Sequence, residues 1–419
     1  MEIKLAYGKE IIATEIPEKN YLGTLVPNEI PNVNDERLEI QRAINAPVKV
    51  SRLEKIIKSN MKVSIIADDH TRGTPSYLVM PHILNKLNEL KVPDENITAI
   101  FGCGTHRCVM PGEVEFLIGN ETTKRIRVVS HDCHGDDLVN IGKTSFGNEI
   151  KINSIVANSD AIIAIGNIEY HYYAGFTGGR KSILPGVSSY ETINFNHAML
   201  THPKAVTGNL EGNPVHKDMV EAARMAKVDF IINLVRNSKD KIVKTFAGDL
   251  EAAHLEGTKL YDKMFRVNVK KRPDIVLLSA GGYPKDINLY QGSKAIDNSK
   301  FLVRPGGVII ALLECKEGVG NDVYEEWAKK YRTLQELENQ VKTKFILGGH
   351  KAYYMEKILL NSTIILISEM PDKEVEEVFK LKPASNVDDA LEMAYNIVGR
   401  DASLISMPFA TKTLPNIRN

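Results

Sequence analysis

The stretch "AIIAIGNIEYHYYAGFTGGRK", residues 161–181, decides the fold class. Its apolar run "AIIAIG" predicts a buried β-strand, and a polar loop with a histidine, a glycine pair and two cations follows directly. The same succession of strand and polar loop occurs three more times, with the loops "DDHTR" (68–72), "GCGTHR" (102–107) and "GGYPKDINLYQGSK" (281–294). Ligands of open α/β sheets bind at the carboxyl ends of strands, so these loops predict a ligand site.

Segments with helical periodicity, such as "SYLVMPHILNKLNELKV" (76–92), alternate with the strands along the chain. This order predicts an α/β protein with largely parallel sheets that are covered on both faces. A chain of 419 residues is too long for one core, and the basic segment "RVNVKKRPD" (266–274) indicates a boundary. We therefore expect two α/β domains, residues 1–270 and 271–400, with an active-site cleft between them.

The composition excludes several classes of function. Lys and Arg together number 53, as do Asp and Glu, so the zero net charge gives no electrostatic reason to bind nucleic acid or an anionic membrane. No apolar run approaches the roughly 18 residues of a membrane helix, and the first residues lack the apolar core of a signal peptide. Four cysteines do not form a disulfide framework, so we expect a cytoplasmic protein with reduced thiols.

The glycine pair before Lys181 resembles a phosphate-binding loop, but the details disagree. The pattern G-x-x-x-x-G-K-[ST] requires glycine directly before the lysine, and Arg180 occupies that position. A G-x-G-x-x-G fingerprint does not follow the first strand either. Both observations argue against a nucleotide triphosphatase, and the second also argues against a dinucleotide-binding enzyme.

Three of the eleven histidines are candidates for catalysis. His106 and His171 lie in loops just after strands, and His197 lies in "SYETINFNHAML" at the start of a predicted helix. Two neutral histidines beside one substrate can act as an opposed acid and base, because their pKa lies near physiological pH.

A metal site is the competing interpretation. The cluster "HDCHG" (131–135) holds two histidines, an aspartate and a cysteine, but a second ligand pair at standard zinc spacing is not evident. A polar turn is therefore the favoured interpretation of that segment. Cations at Arg72, Arg180 and Lys294 in the strand-end loops suit a small carboxylate-bearing substrate.

Taken together, "DDHTR", "GTHR", "YHYYAGFTGGRKSILPG", "NFNH" and "YQGSK" resemble the lactate racemase family in order and spacing over nearly the whole chain. That family inverts the C2 stereocentre of 2-hydroxy acids by hydride transfer to and from a nickel-pincer nucleotide, a pyridinium mononucleotide with two sulfur-containing arms. The resemblance implies enzymes that synthesise and load this cofactor as partners. It also implies that residues 401–419 return to the first domain.

The resemblance assigns roles to individual residues. It implies that Lys181 is covalently linked to the cofactor, that His197 is the protein ligand of nickel, and that His106 and His171 are the paired acid and base. The remaining cofactor-binding residues that it implies are Asp69, Gly178 and Gly179, and the substrate-binding residues are Arg72, Lys294, Tyr290 and Gln291.

One departure from the family pattern concerns the substrate. Gly73 follows Arg72 where the family pattern has proline, which leaves lactate, malate, longer 2-hydroxy acids and sugar acids all open. Two other functions use some of the same residues. A nicotinamide-dependent dehydrogenase would share the carboxylate clamp and a histidine, but it needs the missing glycine fingerprint. A non-catalytic organic-acid-binding protein would need the cations, but neither Lys181 nor two opposed histidines.

Overall fold

Two units make up the chain, and the computed structural model describes residues 1–417. The central unit is one continuous segment, Glu29–Asp262, and the terminal unit combines Met1–Asn28 with the chain from Lys263 onward. The strands are β1 (Glu2–Tyr7), β2 (Glu10–Glu15), β3 (Tyr21–Thr24), β4 (Val63–Asp68), β5 (Ile97–Gly102), β6 (Arg127–Ser130), β7 (Leu138–Lys143), β8 (Glu149–Asn153), β9 (Ala161–Asn167), β10 (Tyr170–His171), β11 (Gly175–Phe176), β12 (Phe230–Arg236), β13 (Ile242–Gly248), β14 (Arg266–Val269), β15 (Ile275–Ser279), β16 (Gly307–Leu312), β17 (Ser362–Ile367), β18 (Lys382–Pro383), β19 (Leu404–Met407) and β20 (Leu414–Ile417).

The helices are α1 (Glu36–Asn45), α2 (Leu53–Ile56), α3 (Ser76–Glu89), α4 (Pro111–Ile118), α5 (Asn120–Arg125), α6 (Ser154–Ala157), α7 (Tyr190–Ala198), α8 (Pro214–Met225), α9 (Ala252–Phe265), α10 (Leu289–Ser299), α11 (Asp322–Lys330), α12 (Leu334–Thr343), α13 (Gly349–Leu359), α14 (Asp372–Glu377) and α15 (Val387–Val398). Within residues 1–417 no helix combines the length and the apolar character that a membrane crossing requires.

The central unit is built on a six-stranded sheet in the order β13-β12-β9-β4-β5-β6. All its strand pairs are parallel except β12 with β13. Every residue of β9 and β12 is buried, which is the pattern of parallel strands that are covered on both faces. The predicted fold class, α/β with largely parallel sheets, is confirmed.

Helix starts near the site follow from local sequence. Ser189 precedes α7, and its hydroxyl accepts a hydrogen bond from the Thr192 amide at 3.2 Å. Asn213 precedes α8, where its side chain accepts from two backbone amides, and Pro214 occupies the first helical position. These side chains satisfy amide groups that a helix start leaves without an intrahelical partner.

The terminal unit carries a second six-stranded sheet in the order β18-β17-β16-β15-β19-β3, and all of its strand pairs are parallel. Strands β1 and β2 form a hairpin that turns at Gly8–Lys9, and Gly8 has a φ of 55°, a value that favours glycine. A core of aliphatic residues from β15, β16 and α15 lies against this sheet.

The observed division differs from the one expected from the sequence at both ends of the chain. The sequence-based division placed the first residues and residues 401–419 together in the N-terminal domain. In the structure β19 pairs with β15 on one side and with β3 on the other, and β20 pairs with β14. Both described chain ends therefore contribute strands to the terminal unit: β3 comes from the N-terminal segment, and β19 and β20 come from the C-terminal segment.

Candidate active site

Three neighbouring strands of the central sheet carry candidate residues at their carboxyl ends. β4 leads into the loop with Asp69 and Arg72, β5 leads into the loop with His106, and β9 leads to His171 in β10. The three strands are adjacent and parallel, in the order β9-β4-β5. Their carboxyl ends therefore meet at one edge of the sheet, which is where ligands of such sheets bind.

Asp69 orients the ring of His106. The Nδ1 atom of His106 lies 2.6 Å from Oδ2 of Asp69, and the hydroxyl of Thr71 donates to Oδ1 at 2.6 Å. Asp69 is only 2% exposed, and burial raises the pKa of its carboxyl. The hydrogen bonds from His106 and Thr71 and the charges of His106 and Arg72 outweigh burial, so the net pKa lies below its ordinary value. An ionised Asp69 accepts the proton of Nδ1, so Nε2 is the His106 atom that can exchange a proton with a substrate.

The loop that carries Lys181 lies directly against β12. Gly178 and Gly179 have φ values of 80° and 53°, and Gly179 begins a 3-10 helix, Gly179–Ser182. A Cβ on Gly178 would lie 2.6 Å from Oδ1 of Asn233, the same oxygen that accepts the Gly179 amide at 3.0 Å. Glycine is therefore required here for close approach to a strand of the protein itself.

Lys181 and His171 are buried and electrostatically coupled. Burial lowers the pKa of the Lys181 amine well below its ordinary value, and the charges of Arg72 and Arg180 lower it further. Burial likewise lowers the pKa of His171 well below its ordinary value, with smaller contributions from Lys181, Arg72, His197 and other cations. The lowered pKa values favour the un-ionised amine of Lys181, which is nucleophilic, and the neutral imidazole of His171, which can accept a proton.

His197 lies in α7, where its neighbour fixes the tautomer of the ring. The Nδ2 atom of Asn196 donates to Oδ2 of Asp218 at 2.8 Å, so Oδ1 of Asn196 is the atom that faces Nδ1 of His197, 3.0 Å away. That oxygen accepts, so Nδ1 carries the proton and Nε2 carries the lone pair. The Tyr173 ring contacts both histidines edge-on, with centroids 4.4 Å from His171 and 5.0 Å from His197.

Known proteins resemble this chain over most of its length. Residues 7–208 match the model of the lactate racemase N-terminal domain, and residues 268–411 match that of the lactate racemase C-terminal domain. The chain is 33% identical to a lactate racemase of Thermoanaerobacterium thermosaccharolyticum and 34% identical to one of Lactiplantibacillus plantarum, each time over 97% of both chains.

The chain belongs to the lactate racemase family. It is therefore an enzyme, an isomerase.

Solved structures agree with this family. The lactate racemase apoprotein of Thermoanaerobacterium thermosaccharolyticum superposes with a TM-score of 0.91 at 32% identity, and the match covers 100% of each chain. A protein from Thermotoga maritima shares the fold with a TM-score of 0.66 at 19% identity, over 93% of this chain and 100% of the other.

The remaining candidate residues lie in the terminal unit, on helix α10. Lys294 donates a hydrogen bond to Oε1 of Gln291 at 2.8 Å, one helical turn away. Asn288 caps the helix by accepting from the Gln291 amide at 3.0 Å. Tyr290 lies beside the ammonium of Lys351, which is 5.4 Å from its ring centroid. The structure thus brings Lys294, Tyr290 and Gln291 onto one helix, and it brings the other candidate residues together in the central unit.

The cluster at residues 131–135 does not form a metal site. His131 is buried with Nε2 2.9 Å from the Ser188 carbonyl oxygen, and the ring of His134 lies against Tyr190 with centroids 4.7 Å apart. Burial raises the pKa of the Cys133 thiol to about 11, so it is not a thiolate at neutral pH. Across residues 1–417, no group of three or more His, Cys, Asp and Glu side chains could hold a metal ion.

Sequence reasoning missed Tyr173 and Arg236, which lie near the candidate residues, and it did not foresee the buried position of Arg180. Tyr173 carried no signal beyond its position near His171, and Arg180 was considered only as a cation for the substrate. Arg236, the last residue of β12, was not considered. The unusual Gly73 is the sequence feature that could have indicated a large neighbouring side chain. A Cβ on Gly73 would lie 3.2 Å from Nη2 of Arg236, so the missing side chain leaves room for this guanidinium.

Proposed function

We propose that the chain is a racemase that inverts the C2 stereocentre of a 2-hydroxy acid with the help of a nickel-pincer nucleotide tethered to Lys181. Lactate is the first candidate substrate because the curated relatives, which align over nearly the full chain, carry it in their names. We place this activity in the cytoplasm, where Cys103, Cys108, Cys133 and Cys315, all free thiols here, would stay reduced.

The side chains of the site fit this cofactor. Lys181 offers a buried amine whose pKa is lowered by burial, which favours the un-ionised form that a covalent tether requires. His197 offers an imidazole whose Nδ1 is engaged by Asn196, the arrangement by which proteins orient a metal-binding histidine. Imidazole is a suitable ligand for nickel, and a metal held by one protein side chain needs no further ligand cluster. When bound, the cofactor supplies a group that accepts the C2 hydrogen as a hydride and returns it.

The two candidate bases handle the hydroxyl proton. Loss of a hydride from C2 yields a 2-keto acid only if the hydroxyl proton leaves as well, so a neutral base must lie beside that oxygen. Burial keeps His171 neutral, and Asp69 holds His106 with Nε2 ready to accept. We assign one histidine to each enantiomer, because the hydroxyl group points in different directions in the two. In one turnover the histidine of the reacting enantiomer accepts the hydroxyl proton, and the other histidine, which must then be protonated, donates a proton to the keto oxygen as the opposite enantiomer forms. The two rings exchange protonation states, so the reverse reaction uses them in exchanged roles.

The carboxylate of the substrate requires cations. Arg72 follows β4 at the same sheet edge as the two bases, and a guanidinium can bind a carboxylate through two parallel hydrogen bonds. Lys294, steadied by Gln291, is the second cation that we assign to the substrate. The binding of the carboxylate by Arg72 would orient C2 for loss of its hydrogen.

The single observation that supports this proposal most is the burial of Lys181 and His171 near the strand ends, with the partly buried Arg72 among the charges that lower both pKa values. In an exposed surface loop neither nitrogen base would be favoured in its un-ionised form. The test uses protein produced together with the cofactor-synthesis and loading enzymes, and C2-deuterated L-lactate in ordinary water. Chiral chromatography and mass spectrometry should show D-lactate that retains deuterium, whereas the apoprotein should form none. D-lactate in which water hydrogen replaces deuterium would contradict hydride transfer, and no turnover of lactate would redirect the search to malate and longer 2-hydroxy acids.

A further inference from the structure

The backbone amide of Ala174 donates a hydrogen bond to the ring of His171. The amide nitrogen lies 3.3 Å from Nδ1 of the histidine, and both residues are buried. A backbone amide is always a donor, so Nδ1 carries a lone pair. A neutral imidazole has one donor and one acceptor nitrogen, so the His171 ring carries its proton on Nε2.

Hydrogen bonds hold the Ala174 turn in place. His171 ends β10 and pairs with Gly175 of β11, so Ala174 lies in the short turn between the two strands. Nη2 of Arg180 donates to the Ala174 carbonyl at 2.8 Å, and the amide of Gly208 donates to the Gly175 carbonyl at 3.0 Å. The amide that faces the histidine therefore belongs to a turn that is fixed on both sides.

Two tyrosines fix the plane of the His171 ring. Tyr172 stacks on the ring with centroids 5.0 Å apart and planes inclined by 10°, and Tyr173 contacts it edge-on with centroids 4.4 Å apart. A rotation of the ring away from the Ala174 amide would disturb both contacts.

His106 is held in the opposite way. Its Nδ1 lies 2.6 Å from the ionised Asp69 and donates to it, so Nδ1 is a donor in His106 and an acceptor in His171. A second proton on His106 leaves the bond to Asp69 intact. A second proton on His171 would place N–H groups on both ring nitrogens, and Nδ1–H would then face the N–H of Ala174. Two donors that face each other repel, so the imidazolium form of His171 requires the loss of this hydrogen bond.

Electrostatics disfavours the same imidazolium form. Burial lowers the pKa of His171 well below its ordinary value, and the charges of Lys181 and Arg72 lower it further. These contributions oppose a second proton anywhere on the ring, whereas the Ala174 amide acts at Nδ1 specifically.

We propose that the Ala174 amide controls when His171 acts as a base: its hydrogen bond to Nδ1 keeps the ring proton on Nε2, and this bond must break before the ring accepts a proton. The inference rests on the proposed function, in which each histidine serves one enantiomer. Formation of keto acid from the enantiomer served by His106 leaves the Ala174 bond intact, whereas formation from the enantiomer served by His171 breaks it. Complete racemisation protonates both rings in turn in either direction, so the difference appears in keto acid formation.

The first measurement locates the ring protons in the apoprotein. Histidine labelled with ¹⁵N is incorporated, and ¹⁵N–¹H correlation spectra at about pH 8, above the ordinary histidine pKa of about 6.5, show which ring nitrogens carry protons. The signals of the two residues are identified by their loss in His106→Gln and His171→Gln. Nδ1 should carry a proton in His106 and none in His171. A proton on Nδ1 of His171 would overturn the inference.

The second measurement tests whether the Ala174 amide is the cause. Ala174 is replaced during translation by its hydroxy-acid analogue, so that an ester oxygen, which cannot donate, takes the place of the N–H. The matched control is the same replacement at Ala226, whose amide donates to the Ala222 carbonyl at 3.0 Å at the end of α8. The assay is a single turnover of loaded enzyme in which the keto acid is trapped by acid.

The ester at Ala174 should speed keto acid formation from one enantiomer only, the one that His171→Gln slows more. The expected increase is roughly 2- to 13-fold, which corresponds to the net contribution of an ordinary hydrogen bond. A purely structural role of the turn would instead slow both enantiomers. Equal effects on the two enantiomers, slower reaction of the enantiomer served by His171, or the same acceleration in the Ala226 control would contradict the proposal. If the ester at Ala174 does not fold, the spectra of the unaltered chain decide.

Failure here is distinguishable from failure of the proposed function, because the spectra need no cofactor. A proton on Nδ1 of His171 in a chain that racemises a 2-hydroxy acid would remove only this inference. The expected ring protons in a chain that never acquires a cofactor or racemises a 2-hydroxy acid would remove only the proposed function.

Discussion

Replacement of Asp69 by asparagine tests whether this carboxylate orients a catalytic base. The substitution keeps the size of a side chain that is almost completely buried, but it removes the charge that accepts the His106 Nδ1 proton at 2.6 Å. A hydrogen bond to a charged group contributes about 1.5–3 kcal/mol, and each 1.36 kcal/mol corresponds to a factor of ten in rate. If that contribution is realised in the transition state, kcat should fall by roughly 10- to 150-fold.

The assay is a single turnover of loaded enzyme, in which the 2-keto acid that forms is trapped by acid and measured for each enantiomer separately. Because His106 is assigned to one enantiomer only, Asp69→Asn should slow keto acid formation from that enantiomer more than from the other. The matched control is Asp68→Asn, at the neighbouring buried carboxyl, which bonds to Thr74 and not to His106. This control should lose less activity. Equal losses in the two variants, or equal slowing of both enantiomers by Asp69→Asn, would refute the orientation argument.

Three further predictions concern binding, pH and the fold. Arg72→Ala should raise KM by roughly 10- to 150-fold through loss of a charged hydrogen bond, with a smaller effect on kcat, and an unchanged KM in steady-state kinetics would mean that Arg72 does not bind substrate. Burial lowers the pKa of His171 and of other buried histidines, so below about pH 6.5 the unfolded chain binds protons that the folded chain does not. Tm should therefore fall as the pH drops from about 7.5 to about 5. A Tm that is constant over this range would contradict the neutral state of these rings. Gly178→Ala should lower the free energy of unfolding by about 1–3 kcal/mol, because φ is 80° and the new Cβ would lie 2.6 Å from Asn233 Oδ1. The control Gly112→Ala, whose new Cβ would have nothing within 4 Å, should leave the free energy of unfolding measured with denaturant almost unchanged. Similar losses in both variants would contradict the steric argument.

Local patterns in the sequence were sufficient to predict the strands and the loops that follow them. The run "AIIAIG" (161–166) corresponds to β9, and the turn at Gly8–Lys9 corresponds to the hairpin of β1 and β2. Because parallel strands place their carboxyl ends at one edge, the same patterns were sufficient to place His106, His171 and Lys181 near strand ends.

Features that depend on long-range pairing or burial could not be predicted in this way. The pairing of β19 with β3 joins segments almost 400 residues apart, and neither strand specifies its partner by composition. Arg180 has the sequence of an ordinary cation, and only its burial reveals the contacts with His216 and His254. The tautomer of His197 depends on how Asn196 is held by Asp218, which is a matter of side-chain packing.

The central claim, that a cofactor tethered to Lys181 makes this chain a 2-hydroxy acid racemase, is tested most directly by intact mass. Protein produced together with the cofactor-synthesis and loading enzymes should be heavier than the bare chain by the mass of the attached nucleotide, and fragmentation should place the added mass on Lys181. The Lys181→Ala variant should fold, because the Lys181 amine makes no hydrogen bond within residues 1–417. The variant should carry no added mass and show no racemisation. Racemisation by protein whose mass equals that of the bare chain would contradict the account.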